Sequence, residues 1–307
     1  MTPTLAAPLF VASIALMLLA SAQFARRLDH VGLRLGLPEA LLGLLTALAA
    51  DAPEISSAIS ALVQHEHAVA VGVVVGSNAF NLAAMLGLSA LITARIRAEH
   101  DTLLLETVVG LSLLAVMLAV AAGGLGGPAG GLLVGAVAVP YVVLLARQPR
   151  REPRTRLSRR EAIRLLAVLV LALGVIVAGS VGAVHAATDL AHAWSVPDAL
   201  VGVIVLAILT SLPNAWTGIR FGLQGRGSAL ASETLNSNSI NLVAGLALPA
   251  ALGSLTTFSR LDVFDLAWLF GMTVVALAFF GRREGAGRLA GAFLIVTYAV
   301  FVVVQVA

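Results

Sequence analysis

Long apolar stretches alternate with short polar segments along all 307 residues of the chain. Each apolar stretch can cross about 30 Å of hydrocarbon as an α-helix, and the segments between them are rich in glycine, proline and arginine, as loops are. We therefore predict an all-α polytopic membrane protein. Its ten predicted transmembrane helices lie at 7–24, 38–63, 68–93, 102–122, 130–146, 162–181, 198–222, 229–253, 262–281 and 289–306.

The composition agrees with a membrane protein and excludes several other classes. Hydrophobic residues make up 59% of the chain and charged residues 11%, and the mean hydropathy is +0.99. Soluble domains carry about 25% charged residues. The absence of cysteine excludes disulfides and thiolate metal sites, and the absence of lysine excludes a Walker A loop. With no HExxH pair and no histidine at mid-membrane depth, we predict neither an enzyme nor a bound cofactor.

The arginines sort to one side of the predicted membrane. Eighteen lie in alternate loops, and the opposite side receives only Arg260. Because basic loops stay cytoplasmic, we expect an integral, multi-pass protein of a prokaryotic plasma membrane, with both termini outside and the arginine-rich loop 147–161 inside. We interpret this basic charge as a topology signal rather than as nucleic-acid binding. The expected partners are the lipid bilayer and inorganic cations, and the sequence leaves the oligomeric state open.

The central loop separates two halves of five predicted spans, 1–146 and 162–307. An odd number of spans per half makes the second half enter from the opposite side, as in inverted-repeat transporters. The halves match at a constant offset of 160 residues, between a first motif at 43–87 and a second at 203–247. We therefore predict two inverted five-helix repeats.

Polar residues recur at this offset in the middle of predicted spans. Asp51 and Glu54 share a helical face with Ala47, and carboxylates at this depth usually mark ion pathways. The second half repeats the spacing with Ala207, Ser211 and Asn214. Pairs spaced i, i+4 follow in the next spans, Ser77 with Asn81 and Ser237 with Asn241.

Prolines in the same spans add carbonyl oxygens to this set. Pro53 and Pro213 remove the hydrogen bonds to the carbonyls of residues 49 and 209. Carboxylate, hydroxyl, amide and carbonyl oxygens suit a hard cation such as Na+ or Ca2+, with Asp51 and Glu54 as the charged metal ligands. Ser77 or Asn78 alone would favour simple helix–helix bonding. The duplicated set with two carboxylates favours an ion site.

At these residues the sequence resembles the cation/Ca2+ antiporter superfamily, and the Na+/Ca2+ exchanger group in particular. The first repeat reads Ala-Asp51-Ala-Pro53-Glu54, then Gly76-Ser77-Asn78-Ala-Phe-Asn81; the second reads Thr210-Ser211-Leu-Pro213-Asn214, then Asn236-Ser237-Asn238-Ser-Ile-Asn241. The resemblance implies that Glu54 is a central ligand and that Ser77, Ser211 and Ser237 are sodium ligands. It also implies carbonyl ligands at Ala47 and Ala207, and it matches Thr210 to the threonine of the motif.

Two positions depart from the family pattern. Asn214 stands where the family has a glutamate, and Ala50-Asp51 replaces a Thr-Ser pair. The formal charge of the site can remain at minus two, but both carboxylates then belong to the first repeat.

Other charged residues lie outside this set. Glu233 precedes Ser237 by one helical turn and is either a proton or cytoplasmic-access carboxylate or a residue favoured at a helix N-terminus. His65-Glu66-His67 is interpreted as a solvated loop. Glu106, Asp262 and Asp265 lie near span ends and are interpreted as interfacial.

The leading hypothesis is a secondary cation antiporter that exchanges Ca2+ or a related cation against Na+ or H+ by alternating access. An exchanger of Na+ for H+, or of other monovalent cations, is the close alternative because Asn214 has lost a charge. A transport-inactive regulatory or structural subunit is the alternative from another class. Flux driven by Ca2+, Na+ or pH gradients distinguishes these three.

Overall fold

The computed structural model describes residues 2–35, 39–147 and 158–306, and helices dominate these residues. The α-helices are α1 (Pro3–Leu35), α2 (Glu39–Ala50), α3 (Ala52–Val63), α4 (His67–Asn81), α5 (Ser89–Thr93), α6 (His100–Ala121), α7 (Gly127–Ala146), α8 (Arg159–Trp194), α9 (Asp198–Leu200), α10 (Ala207–Thr210), α11 (Leu212–Leu223), α12 (Gly227–Leu242), α13 (Leu248–Ala251), α14 (Arg260–Phe280) and α15 (Arg288–Val306). Three π-helical segments, π1 (Leu82–Leu88), π2 (Val201–Leu206) and π3 (Val243–Ala247), join some of them, and β1 (Arg95–Ile96) pairs antiparallel with β2 (Ala286–Gly287).

The all-α membrane fold predicted from the sequence is confirmed. Among the described residues, seven helices are long and apolar enough to cross a membrane, and the pair 198–210 and 212–223, bent by 49°, brings the number to eight. The predicted spans 38–63 and 229–253 are helical as well, but the first is interrupted and the second is polar. The total of ten spans therefore stays a prediction. Most of the central loop lies outside the described residues.

The helix at 67–93 forms the centre of the molecule. Protein surrounds 89% of its apolar window, against 22 to 39% for the other six candidate spans. Those six leave large apolar side chains on the outside, such as Leu132 at 77% exposure and Leu19 at 69%. Such faces are suited to contact with lipid chains.

Two helices are longer than the sequence predicts. α1 has 33 residues and α8 has 36, against predicted spans at 7–24 and 162–181. At about 1.5 Å per residue each is roughly 50 Å long, so each must tilt or extend beyond the hydrocarbon. In α1 the apolar segment ends before Arg26 and Arg27, but arginine has a high helix propensity and the helix continues through both. α8 begins at a capping box in which the Ser158 hydroxyl accepts a hydrogen bond from the Glu161 amide.

Two helix breaks lie 160 residues apart. Asp51 separates α2 from α3, and Ser211 separates α10 from α11. In each case a proline, Pro53 or Pro213, is the second residue of the new helix, where its missing N–H breaks no intrahelical bond. Two half-helices therefore begin inside the protein, with the positive ends of their dipoles there.

Two of the three π-helical segments also follow the repeat. π1 begins directly after Asn81, and π3 begins two residues after Asn241. A π-helical turn holds about one more residue than an α-helical turn, and such turns are frequent near functional sites. The sequence pattern did not predict these segments, because a π segment needs no distinctive residue.

Small residues let the two repeats approach closely. A Cβ atom added to Gly76 of α4 would clash with the carbonyl oxygen of Val203 and lie 2.8 Å from the Cβ atom of Ala207. On α8, a Cβ at Gly179 would lie 3.0 Å from Met17 of α1. Close backbone contact at glycine is a common way of packing membrane helices.

We predict that Gly76→Ala destabilises the protein by about 1–3 kcal/mol, because the new methyl group must push α4 away from π2 and α10. Thermal unfolding in detergent measures this effect. Gly135→Ala on α7 is the matched control, since nothing lies within 4 Å of its added Cβ. Equal unfolding temperatures for the two variants would contradict this account of the α4 contact.

Candidate cation site

Asp51 and Glu54 lie at the first helix break, and both are fully buried. Their hydrogen-bond donors come from the other half of the chain. The Asn214 amide nitrogen donates to Asp51 Oδ1 at 2.7 Å and to Glu54 Oε1 at 3.1 Å. The hydroxyl of Ser237 donates to Asp51 Oδ1 at 2.6 Å, and that of Ser211 donates to Glu54 Oε1 at 2.9 Å. The first half thus supplies the charges and the second half supplies the donors.

The same contacts follow the 160-residue relation between the halves. Ser211 is the counterpart of Asp51, and Asn214 is the counterpart of Glu54. The Asp51–Asn214 contact therefore corresponds to the Ser211–Glu54 contact. The relation fails at Ser77, the counterpart of Ser237, whose hydroxyl has no hydrogen-bond partner among the described residues. A symmetric framework therefore carries an asymmetric set of charges.

Four asparagines join α4 to α12 beside the carboxylates. Asn78 Nδ2 donates to the carbonyl of Asn238 at 3.0 Å, and Asn238 Nδ2 donates to the carbonyl of Asn78 at 3.1 Å. Asn81 Nδ2 donates to Asn238 Oδ1, and Asn241 Nδ2 donates to Asn78 Oδ1, both at 3.2 Å. Asn78 and Asn238 are not among the site residues predicted from the sequence, although their match at the offset is a signal for this reciprocal bonding.

Six buried side-chain oxygens of the predicted site have no hydrogen-bond partner among the described residues. They are Asp51 Oδ2, Glu54 Oε2, Ser77 Oγ, Asn81 Oδ1, Asn214 Oδ1 and Asn241 Oδ1. A buried acceptor without a partner costs free energy unless a hydrogen-bond donor or a cation satisfies it. Oxygen atoms of these kinds are the ligands that hard cations such as Na+ and Ca2+ take.

The charge in this set is limited to two carboxylates. Within the described ranges, no group of three or more histidine, cysteine, aspartate or glutamate side chains is arranged to hold a metal ion. The amide and hydroxyl oxygens must therefore complete any cation site here.

The remaining predicted site residues are also buried, but their polar atoms already have partners. The hydroxyl of Thr210 donates to the carbonyl of Leu206 at 2.9 Å. The carbonyl of Ala47 accepts from the Asp51 amide at 2.8 Å, and that of Ala207 accepts from the Ser211 amide at 3.2 Å. A carbonyl oxygen has two lone pairs, so that of Ala47 remains available as a ligand, whereas that of Ala207 also accepts a long bond of 3.4 Å from the Thr210 hydroxyl.

Pro53 was expected to leave the carbonyl of residue 49 without a partner. Instead, the carbonyl of Ala49 accepts a hydrogen bond from the hydroxyl of Ser21 on α1 at 3.3 Å. A side chain from a distant part of the chain made this bond, and sequence spacing does not reveal such a partner.

Glu233 lies near the site without a hydrogen bond to it. Its side chain is half-buried, and it is close enough to Asp51 for their charges to repel. It is the seventh residue of α12, beyond the first turn in which a helix N-terminus stabilises an acid. This position argues against the helix-terminus interpretation.

The structure corrects the interfacial interpretation of two other acids. Glu106 is 5% exposed and Asp265 is 2% exposed, and both have side-chain partners. Asp262 does lie at a helix start, where it closes a capping box with Ser259. His65 and Glu66 form the turn between α3 and α4, as expected of a loop, but His67 is the first residue of α4.

A family model described as "Sodium/calcium exchanger protein" matches the chain twice, at residues 5–163 and 164–307. The chain belongs to the sodium/calcium exchanger family. Membership in this group of cation antiporters confirms the superfamily predicted from the two motifs. The two matches divide the chain at the C-terminal side of the central loop.

Several relatives of this exchanger-family protein extend over most of its length. It is 26% identical over 280 residues to the inner membrane protein YrbG of Escherichia coli K12, covering 84% of each chain. It is 28% identical over 259 residues to the putative antiporter CaxA of Alkalimonas amylolytica, covering 79% of each. The solved structure of the sodium-calcium exchanger NCX_Mj soaked with Na+ has a TM-score of 0.70 at 18% identity, covering 98% of this chain and 99% of that one. That match shows a shared fold.

We predict that Asn78→Ala lowers stability by about 1–3 kcal/mol, because it removes a donor to Asn238 and leaves the amide of Asn241 without its acceptor. Thermal unfolding in detergent measures the loss. Thr297→Ala is the control, since the hydroxyl of Thr297 bonds only within its own helix. An unfolding temperature equal to that of the control would show that the asparagine bonds do not hold α4 to α12.

Proposed function

We propose that this protein is a secondary antiporter that exchanges Ca2+, or a related cation, against Na+ or H+ by alternating access. The observation that carries the proposal is the site itself. Two fully buried carboxylates are surrounded by hydroxyl and amide groups, and six buried oxygens there lack a hydrogen-bond partner among the described residues. This chemistry fits a hard cation, and the family is one of cation antiporters.

The charge of the site supports an exchange between different cations. Asp51 and Glu54 together carry a formal charge of minus two when ionised. One Ca2+, two Na+ or two protons neutralise that charge equally well. An unneutralised charge inside a membrane is costly, so the carboxylate pair without a bound cation is not a stable resting state. Each cargo can therefore replace another at the site.

The burial of the site supports a carrier rather than an open pore. The proposed side-chain ligands, including Asn214 and Ser237, are at most 1% exposed, so the site is closed to water on both sides. Transport from such a site requires the protein to open first to one side and then to the other. The breaks at Asp51 and Ser211 are natural positions for that motion, because no continuous helix crosses them.

We assign the ligand atoms on the same grounds. Asp51 Oδ2 and Glu54 Oε2 supply the charge. The neutral ligands are the side-chain oxygens of Ser77, Asn81, Asn214 and Asn241, the carbonyl oxygens of Ala47 and Ala207, and the hydroxyl oxygens of Thr210, Ser211 and Ser237. Glu233, on the same helix as Ser237, would act as a carboxylate on the cytoplasmic path.

Topology completes the proposal. The repeats would be 1–146 and 162–307, with their motifs at 43–87 and 203–247 and with the basic loop 147–161 in the cytoplasm of a prokaryotic cell. The sorting of arginines supports this orientation.

We predict that Glu54→Gln and Asp51→Asn each weaken cation binding at least about tenfold, because each removes half of the site's charge at constant shape. Isothermal titration of Ca2+ and Na+ into purified protein, together with gradient-driven flux in vesicles, measures the loss. Glu284→Gln, at an exposed position, is the control. Wild-type binding of both ions by Glu54→Gln would refute the ligand assignment, and an absence of cation flux under every gradient would refute the antiporter.

We predict that an impermeant maleimide added outside intact cells labels Ser254→Cys but not Glu284→Cys. Both positions are exposed, and the chain has no native cysteine to interfere. Ser254 lies in the loop before Arg260, on the proposed outer side, and Glu284 lies in an arginine-rich loop on the proposed inner side. Permeabilised cells should label both. The reverse pattern in intact cells would invert the proposed orientation.

A further inference from the structure

A second buried carboxylate cluster lies outside the cation site. It centres on Glu106 of α6, which is 5% exposed, and on Tyr141 of α7, which is also 5% exposed. The Tyr141 hydroxyl oxygen lies 2.9 and 3.0 Å from the two carboxyl oxygens of Glu106 and 2.6 Å from Asn236 Oδ1 of α12. Asn236 Nδ2 lies 3.2 Å from Glu106 Oε1, and the Ser232 hydroxyl lies 3.1 Å from the same oxygen.

Glu106, Tyr141 and Asn236 thus form a triangle of three polar contacts, which needs three hydrogens. The tyrosine hydroxyl has one hydrogen to donate. The asparagine amide contacts tyrosine through one end and glutamate through the other, and only its nitrogen end donates, whichever way the amide is turned. Tyrosine and asparagine together therefore supply two of the three hydrogens. The third must be a proton on the Glu106 carboxyl group, or else two acceptors face each other in a buried site.

Within the part of the chain that the structure describes, no opposite charge stabilises an ionised Glu106. Among the described residues, no arginine or histidine forms an ion pair with it. The titratable groups on the helices packed against it are Tyr141 on α7, Glu233 on α12, and Arg260, Asp262 and Asp265 on α14. The charge of Glu233 interacts with that of Asp51, and the carboxylate of Asp265 accepts a hydrogen bond from the Gln305 amide. Of these groups, Tyr141 alone contacts Glu106.

We propose that Glu106 is a proton-binding site, separate from the cation site, that fastens α12 to α6 and α7 while it holds its proton. With the proton present, every contact of the triangle is a hydrogen bond. Without it, one acceptor pair repels and the three helices lose a bond. The ligand of this site is a proton from the aqueous phase, and half-buried Ser232 marks the least enclosed side of the cluster.

α12 connects this triangle to the cation site. Asn236 precedes Ser237, whose hydroxyl donates to Asp51 Oδ1. A change in how α12 is held by Glu106 and Tyr141 therefore changes the position of a group that contacts the central carboxylate. This regulatory part rests on the proposed antiporter function: protonation of Glu106 adjusts transport without placing Glu106 among the groups that bind the cargo.

The cluster has no copy at the position related to it by the repeat. At the offset of 160 residues, the counterparts of Glu106 and Tyr141 are Leu266 and Phe301, both fully buried, and the counterpart of Asn236 is Gly76. Apolar packing fills the equivalent place in the other half. A carboxyl group is therefore not required there by the fold, which favours a specific role for Glu106.

Infrared difference spectroscopy tests the proton directly. In an Asp51→Asn/Glu54→Gln background, which removes the carboxyl groups of the cation site, we expect a protonated-carboxyl C=O band at neutral pH. The band should disappear on adding Glu106→Gln and shift in frequency on adding Tyr141→Phe. It should persist with Asp265→Asn, a matched buried acid outside the triangle. Identical spectra with and without Glu106→Gln would show that Glu106 is ionised and would overturn the proposal.

The pH dependence of transport tests the regulatory role in otherwise wild-type protein. Glutamine keeps an amide donor for Tyr141 and an acceptor for Asn236, so Glu106→Gln imitates the protonated state at every pH. We expect the variant to retain the wild-type rate at acid pH and to lose one step of the pH profile toward alkaline pH. Asp265→Asn should keep the wild-type profile. A Glu106→Gln profile that superimposes on that of the wild type would overturn the regulatory role.

Discussion

The central constraint on this protein is the burial of two carboxylates, Asp51 and Glu54, with no arginine or histidine paired to either among the described residues. A buried charge without a partner is strongly unfavourable, and donors alone offset only part of that cost. The Asn214 amide bridges both groups, and two serines complete the donor set. What this arrangement still lacks is positive charge. The most direct source of that charge is a cation or a proton taken from solution.

The backbone is arranged around the same requirement. Helix breaks at Asp51 and Ser211 place two half-helix N-termini inside the protein, and such termini favour negative charge nearby. Glycine at Gly76 lets α4 approach π2 and α10 closely enough for polar groups of one half to reach those of the other. The reciprocal bonds of Asn78 and Asn238 then fix α4 against α12. Each of these features brings the second half's donors to the first half's carboxylates.

The sequence predicted the parts of this arrangement that depend on repetition and on residue type. Mid-span carboxylates, the 160-residue offset and the two prolines were sufficient to select Asp51, Glu54, Ser211 and Asn214, and the structure places all four in contact. Contacts that depend on how distant helices pack together were not predictable from the sequence. The hydrogen bond from the Ser21 hydroxyl to the carbonyl of Ala49 is an example. The burial of Glu106 was not predicted for a related reason. A residue near the end of a span is expected at the membrane–water interface unless the helices that pack against it are known. The length of α1 was missed because arginine ends an apolar stretch without ending a helix.

The two halves share a framework but not a charge distribution. Under the 160-residue relation, Asp51 becomes Ser211, Glu54 becomes Asn214, and Glu106 becomes Leu266. All three buried acids of the first half have uncharged counterparts in the second. A perfectly symmetric carrier would present the same chemistry when it opens to either side. On the proposed roles, Asp51 and Glu106 of the first half both contact the same helix of the second half, α12, through Ser237 and Asn236 respectively. Under the proposed function, a cation at the centre and a proton on Glu106 would each change a hydrogen bond made by α12, and the position of that helix would respond to both.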